Sequence, residues 1–447
     1  MAIGTMVRRC RTALACCICI FLAGSLLNTT VSAAVDCDAI PTGVEKTDYS
    51  LPFEVPAGLM PDPQFDGLQA HLEVHRVRPV FADKCASVPS RAAVLVHGRT
   101  VAGPVAFDLR FVAPGGGTLS LQESLARSGI DTFAPSLLGY GGSTTFEHGL
   151  DDPGNASLRP FPPDGSCPYP EGCDESHNSI FPLDQQGEML IANSFEGQRR
   201  KHSSSTRFAN TDVWVRDIAQ VVDDAIARAQ PTDGKVTLIG YSLGALRVGR
   251  ALSSAEFPDV VGNIDRVAFL APFFGGPTEE PPPQGFVTFP LTLAERRQIV
   301  DGARMATPTR EAACAGYHIE GSGEQAWEQL MQLQGNPTGL LRLPTFSSYG
   351  FNEAVAGQLT LPTLVIQGLD DVVVPSSGFA VYNALPPSMP NKVLVQLDCA
   401  THEMLWERAH SSVSAALIEW VTNGTFDGAQ TGSFTVDASG IARPSAP

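Results

Sequence analysis

The sequence predicts an α/β protein built on a mostly parallel sheet. Two observations carry that expectation: short apolar runs recur along the chain with helical patterns between them, and one junction is a Gly-rich turn from a strand into a helix. In chain order, His71–Val80 and Ala92–Val96 read as strands, followed by Ile130–Ala134. Asp212–Ala229 places Val215, Ile218, Val222, Ile226 and Ala229 three or four residues apart, the spacing of an amphipathic helix, and Pro231 and Gly234 end it. Val236–Ile239 is the next strand; Gly240 leads from it into a helical pattern from Leu243 to Leu252. Arg266–Leu270, Thr363–Gln367 and Lys392–Leu397 are further strands, and Ser411–Val421 is a helix.

Two stretches break this rhythm. Residues 144–208 are rich in Gly, Pro, Ser and Asp, and residues 273–358 open on Pro281-Pro282-Pro283 before turning helical and aromatic. Long excursions between core elements usually form lids or binding loops. Residues 428–447 read as a polar, flexible tail. At the other end, Arg8, Arg9 and Arg11 precede the apolar run Ala13–Ala23, and small residues follow at Val31–Ala34. That order is expected of a secretory signal peptide, residues 1–33, cut near Ala33. The run is too short for a spanning helix, so no stable membrane anchor is expected after processing.

Of 447 residues, 43% are apolar and 17% charged, enough to build a core. The formal charge of −17 becomes −20 once the three leader arginines are removed, and so acidic a chain repels phosphate backbones. Nucleic acid is therefore not an expected partner. Ten cysteines become six after processing: Cys37, Cys85, Cys167, Cys173, Cys314 and Cys399. An even number in an exported chain reads as disulfides, with Cys37–Cys85, Cys167–Cys173 and Cys314–Cys399 the expected pairs. Cys167, Cys173 and His177 fit no standard zinc spacing, and neither a metal nor a cofactor is expected.

Gly240-Tyr241-Ser242-Leu243-Gly244 matches G-x-S-x-G between an apolar strand and a helix. A sharp turn there lifts the Ser242 side chain clear of the sheet, and glycines are needed where a Cβ would strike neighbouring backbone. Serine needs a base to become nucleophilic. His402 follows the strand Lys392–Leu397 and is the expected base; His97 ends an early strand, and the remaining histidines have no comparable setting. The imidazole in turn needs a carboxylate to hold its tautomer and offset its charge. Asp371, just past the strand Thr363–Gln367, is preferred; Asp370 would be a solvated charge, and Asp398 is the outside candidate. Two N–H donors would form the oxyanion hole: Leu243 directly after the nucleophile, and Arg99 in the turn that Gly98 permits after Ala92–Val96.

With these motifs in place, the chain resembles the α/β-hydrolase superfamily over roughly residues 65–425. His97-Gly98, Gly139-Tyr140-Gly141-Gly142-Ser143, Gly240–Gly244 and the Asp371/His402 pair occur in that family's order. The resemblance implies an eight-stranded, mostly parallel sheet with a cap inserted after the sixth strand. The catalytic core would then be residues 34–272 and 359–427, carrying a loop insertion at 144–208, with the cap at 273–358. Serine at position 242 sets the chain apart from the haloalkane dehalogenases and epoxide hydrolases of this fold, which attack through a carboxylate. The elbow also lacks the G-x-S-Y-G-G form frequent among secreted tripeptidyl aminopeptidases.

The expected function is a secreted serine hydrolase acting on a small-molecule carboxylic ester through an acyl-enzyme. Amide, peptide or C–C bond hydrolysis on the same residues is the alternative, and a catalytically silent binding member of the fold is the third. Phe273, Phe274, Phe286, Phe289, Tyr317, Trp327, Phe346, Tyr349 and Phe351 would give the cap an apolar pocket or simply pack it. Glu279, Glu280, Glu320 and Glu324 are the acids that could receive a substrate amine.

Overall fold

A ten-stranded sheet organises the chain, in the order β1-β2-β6-β3-β7-β8-β11-β12-β13-β14. Its strands are β1 (Gly43–Glu54), β2 (Gln69–Val80), β3 (Arg91–Val96), β6 (Ile130–Ser136), β7 (Val236–Tyr241), β8 (Ile264–Leu270), β11 (Thr363–Gly368), β12 (Lys392–Leu397), β13 (Thr431–Val436) and β14 (Ala442–Pro444). Two small antiparallel ribbons account for the remaining numbers: β4 (Asp108–Val112) with β5 (Thr118–Ser120), and β9 (Val287–Leu291) with β10 (Leu341–Thr345). The computed structural model describes residues 41–59, 63–82, 90–99, 101–112, 117–144, 211–254, 258–277, 287–291, 312–319, 321–334, 341–345 and 349–445. The leader 1–33, the pairs Cys37–Cys85 and Cys167–Cys173, and all of the 144–208 excursion except Thr144 lie outside these residues.

β6, β3, β7, β8, β11, β12 and β13 run parallel, while β2 is antiparallel to both of its neighbours and β14 to β13. Every residue of β7 and of β11 is buried, as a strand covered on both faces requires, which is why these segments read as unbroken apolar runs. The amphipathic helix Thr211–Ala229 turns Val213, Ile218, Val221, Val222 and Ala225 inward and packs on β3 and on the helix Leu243–Ser253. Its apolar stripe is the reason it folds back on the sheet.

The sheet corrects two expectations. The seven strands read from sequence are present as β2, β3, β6, β7, β8, β11 and β12; β1, which sequence did not mark, brings them to the eight the resemblance implies, and β13 and β14 extend the sheet to ten. Those two strands come from the segment expected to be a flexible tail. Phe434 and Val436 are buried, and Phe434 packs edge-on against Phe426 with ring centroids 5.2 Å apart. Burying those side chains beside β12 outweighs the polar, Gly-rich composition that suggested disorder.

The excursion between β8 and β11 follows the sixth of the eight expected strands. Its helix Ser322–Gln334 docks through Gln329, which accepts from the Arg110 amide at 2.9 Å and donates to the carbonyls of Asp108 and Pro104. Where the excursion returns to the sheet, Tyr349 and Phe351 are fully buried. Phe351 lies against Phe269 and Phe274, so these aromatics act as packing rather than as a substrate wall.

Candidate active site

Ser242 occupies the turn between β7 and the helix Leu243–Ser253 with φ 55° and ψ −122°, a conformation an L-residue adopts only when its surroundings impose it. The surroundings do impose it. The Ser242 amide donates to Leu270 O at 2.9 Å, and its carbonyl accepts from Ala245 and Phe273 at 3.0 and 2.9 Å. The helix is pressed against the end of β3 so closely that a Cβ on Gly244 would lie 2.2 Å from Val96 O, and one on Gly240 2.7 Å from Gly244 O. Only glycine fits at either position.

The three side chains singled out by sequence converge at the carboxyl ends of β7, β11 and β12. Ser242 Oγ lies 2.8 Å from His402 Nε2, and His402 Nδ1 lies 3.0 Å from Asp371 Oδ2. All three residues are buried, so water competes little for these bonds. Asp371 Oδ1 accepts from the amides of Val373 and Val374, and Oδ2 also accepts from Gln367 Nε2 at 3.0 Å. Burial alone would raise the Asp371 pKa; the bonds from His402 and the two amides outweigh it and hold the carboxyl below its usual range. Asp370 Oδ2 instead lies 3.8 Å from Cys314 Sγ.

The loop that carries His402 is fixed from several sides. Tyr241 Oη donates to His402 O, and the Thr401 amide and hydroxyl donate to the two oxygens of the fully buried Glu407 at 3.1 and 2.5 Å. Cys399 and Cys314 have their sulfurs at bonding distance, Cα atoms 5.3 Å apart, so the excursion is tied to this same loop.

Gly98 lies directly against the nucleophile: a Cβ on it would be 2.9 Å from Ser242 Cβ and 3.4 Å from Oγ. Arg99 is the next residue in that turn, and Leu243 is the first residue of the following helix, whose opening N–H groups have no intrahelical acceptor. His97, expected only to mark this loop, is fully buried. Leu137 N donates to its Nε2 at 3.0 Å, so the ring proton sits on Nδ1, which donates to Gly98 O at 2.8 Å. Burial and the nearby Arg247 cation push the His97 pKa down to about 3, which keeps the ring neutral.

Sequence reasoning missed Gln367, Glu407 and Arg247. Arg247 had a readable signal, being a charge on the helix Leu243–Ser253 within the buried run Leu243–Gly249. Gln367 and Glu407 carried none, because polar residues at strand ends and in loops are common.

This geometry and sheet define a hydrolase of the serine α/β type. Residues 171–409, just over half of the chain, match the family described as serine aminopeptidase, S33, and the chain belongs to that family. The matched stretch holds Ser242, Asp371 and His402. No curated protein matches the chain. Among solved structures, a bromoperoxidase from Bacillus anthracis is similar at 13% identity, covering 78% of this chain and 93% of that one, with a TM-score of 0.36. A meta-cleavage product hydrolase from Pseudomonas fluorescens IP01 is 12% identical, covering 80% and 96%, with a TM-score of 0.44. An esterase from Exiguobacterium antarcticum is 12% identical, covering 79% and 96%, with a TM-score of 0.39.

Proposed function

We propose that the protein is a secreted hydrolase of carboxylic esters in which Ser242, His402 and Asp371 form the catalytic triad. The observation that carries this is the relay from Ser242 Oγ to His402 Nε2 and from His402 Nδ1 to Asp371, at 2.8 and 3.0 Å, under a nucleophile held at φ 55°. Ser242 Oγ bonds to the ester carbonyl carbon as its proton passes to His402 Nε2, and the carbonyl electrons become an oxyanion. The amides of Leu243 and Arg99 receive that oxyanion. Collapse expels the alcohol, which takes the proton from His402. Water, deprotonated by the same imidazole, then releases the acid and restores Ser242. Asp371 stays ionised and keeps the Nδ1 proton in place. Secretion rests on the basic, apolar and small-residue order of residues 1–33.

Peptide or amide hydrolysis is the second reading, favoured by the aminopeptidase description of the family. Of the acids that could hold a substrate amine, Glu279, Glu280 and Glu320 lie outside the described residues, as does the Glu324 side chain. Rates on p-nitrophenyl esters of increasing chain length, set against aminoacyl p-nitroanilides, decide between the two. The expected result is faster turnover of short-to-medium acyl or aromatic esters, abolished in Ser242→Ala. Anilide turnover exceeding ester turnover transfers the assignment to peptidase. A wild type as inert as Ser242→Ala toward both substrate sets and toward fluorophosphonates removes the hydrolase reading.

A further inference from the structure

Arg247 is one of the largest fully buried side chains in the described structure. It stands three residues after Gly244 on the same helix, hence on the face pressed against the end of β3. Its guanidinium donates to His97 O at 3.2 Å and to Tyr140 Oη at 3.2 Å, and it lies 3.8 Å from the centroid of the Trp214 ring. Tyr140, from the Gly139–Ser143 loop, packs its ring edge-on against the His97 imidazole at 4.6 Å. Asp217, also fully buried, provides a nearby countercharge and accepts from Leu138 N at 2.9 Å. Among the described residues, Arg247 Nε has no hydrogen-bond partner.

Burying a cation with one donor unsatisfied is costly, and apolar replacements of buried ions are often neutral or stabilising. Space-filling alone therefore does not account for arginine at this position. What the guanidinium reaches does account for it. Its bond to His97 O fixes the His97–Gly98 peptide, and the His97 Nδ1–H bond to Gly98 O fixes the Gly98–Arg99 peptide. Both peptides are trans and planar, so fixing each carbonyl fixes the direction of the N–H that follows it.

We propose that Arg247 is the positioning residue of the oxyanion loop, holding the backbone of His97–Arg99 from behind so that the loop receives the transition-state oxyanion without reorganising. This rests on the ester- or amide-hydrolase reading above and deepens it. Arg247 touches no reacting atom; it acts through the His97 carbonyl and the network of Tyr140 and Trp214. A preorganised donor stabilises the tetrahedral state more than the bound substrate, so its loss acts on kcat rather than KM.

The test compares wild type, Arg247→Met, Arg247→Lys and Tyr140→Phe on one activated ester. Rates are taken per active site, counted by exhaustive fluorophosphonate labelling, so that misfolded protein drops out of the comparison. The expected result for Arg247→Met is a kcat lower by about 10- to 100-fold, with KM within about 3-fold, below the full loss of one oxyanion donor. The inhibition constant of a trifluoromethyl ketone, which places a tetrahedral oxyanion on Ser242, should weaken by the same factor. Arg247→Lys should recover part of both effects. Should Arg247→Met fail to fold, Tyr140→Phe, which removes one guanidinium acceptor and keeps the ring, should shift kcat and ketone affinity together by several-fold. The inference is overturned if the variants lose thermal stability while per-site kcat and ketone affinity stay at wild-type values. A wild type that neither labels nor turns over any ester or anilide overturns the functional reading instead.

Discussion

The hydroxyl of Tyr241 donates to the backbone carbonyl of His402 at 2.8 Å, and its ring stacks on the imidazole with centroids 5.5 Å apart. The residue beside the nucleophile thus anchors the base that serves it, across 161 positions of sequence. Tyr241→Phe keeps the stack and removes one buried hydrogen bond, worth about 1 kcal/mol. The expected outcome is a fall in kcat of about 3- to 10-fold with a small loss of thermal stability, read by steady-state kinetics and calorimetry. An unchanged kcat would show that the stack and Glu407 suffice to hold the loop.

The two adjacent carboxylates of the turn after β11 are separable by the same means. Asp371 receives His402 Nδ1, whereas Asp370 stands beside Cys314. Asp371→Asn presents an amide that no longer fixes the productive tautomer, and a loss of kcat on the order of 10³- to 10⁴-fold is expected. Asp370→Asn should stay within about 3-fold of wild type. A reversal of that order in the measured kcat values would move the third triad member to position 370.

The parts of this site that sequence made legible share one property: local geometry dictates them. The strand–turn–helix around Ser242 requires glycines at 240 and 244 because Val96 O and Gly244 O leave no room for a Cβ, and that need is written in the residues themselves. His402 and Asp371 were found because each follows a short apolar strand. Arg247, Gln367 and Glu407 act through contacts with residues distant in the chain, and their neighbours in sequence say nothing of those contacts. β13 was hidden for a related reason. Thr431–Val436 is short and polar, and becomes a strand only because β12 offers it an edge and Phe426 a ring to cover.

His75 on β2 reaches β4 through a buried bond from Nε2 to Asp108 at 2.9 Å and β1 through a half-buried bond from Nδ1 to the exposed Asp48 at 2.5 Å, with Lys46, Arg110 and Glu123 also in the cluster. Burial opposes its charge, yet the two carboxylates prevail and raise its pKa from 6.5 to about 9. A folded pKa above the unfolded one means the stabilisation is complete below pH 6.5 and is lost as pH rises through about 9. The shift corresponds to on the order of 3 kcal/mol. Thermal unfolding of wild type and His75→Gln should therefore differ most near pH 6, with the gap closing by about pH 9.5. A gap independent of pH over that range would show that His75 contributes packing alone.

The Cys314–Cys399 pair bridges 85 residues, from the excursion after β8 to the turn that carries His402. Cys399 itself sits at φ 57°, so the cross-link holds a strained residue three positions before the base. Loop-closure entropy for a bridge of this span gives about 4–5 kcal/mol, and measured values for disulfides are typically 2–4. Two effects should follow in Cys314→Ser/Cys399→Ser. The first is a lower unfolding temperature, because the unfolded chain is released from the cross-link. The second is a reduced kcat at temperatures where the protein remains folded, because the loop beneath His402 loses one of its anchors. Reductant should move both properties further in wild type than in the double variant, where only the other expected pairs, Cys37–Cys85 and Cys167–Cys173, remain to be opened. Intact mass after alkylation with and without reductant checks the bond directly. A wild type whose Cys314 and Cys399 alkylate fully without reductant would show that the two thiols stand free in solution, and the anchoring of His402 would then fall to Glu407 and Tyr241.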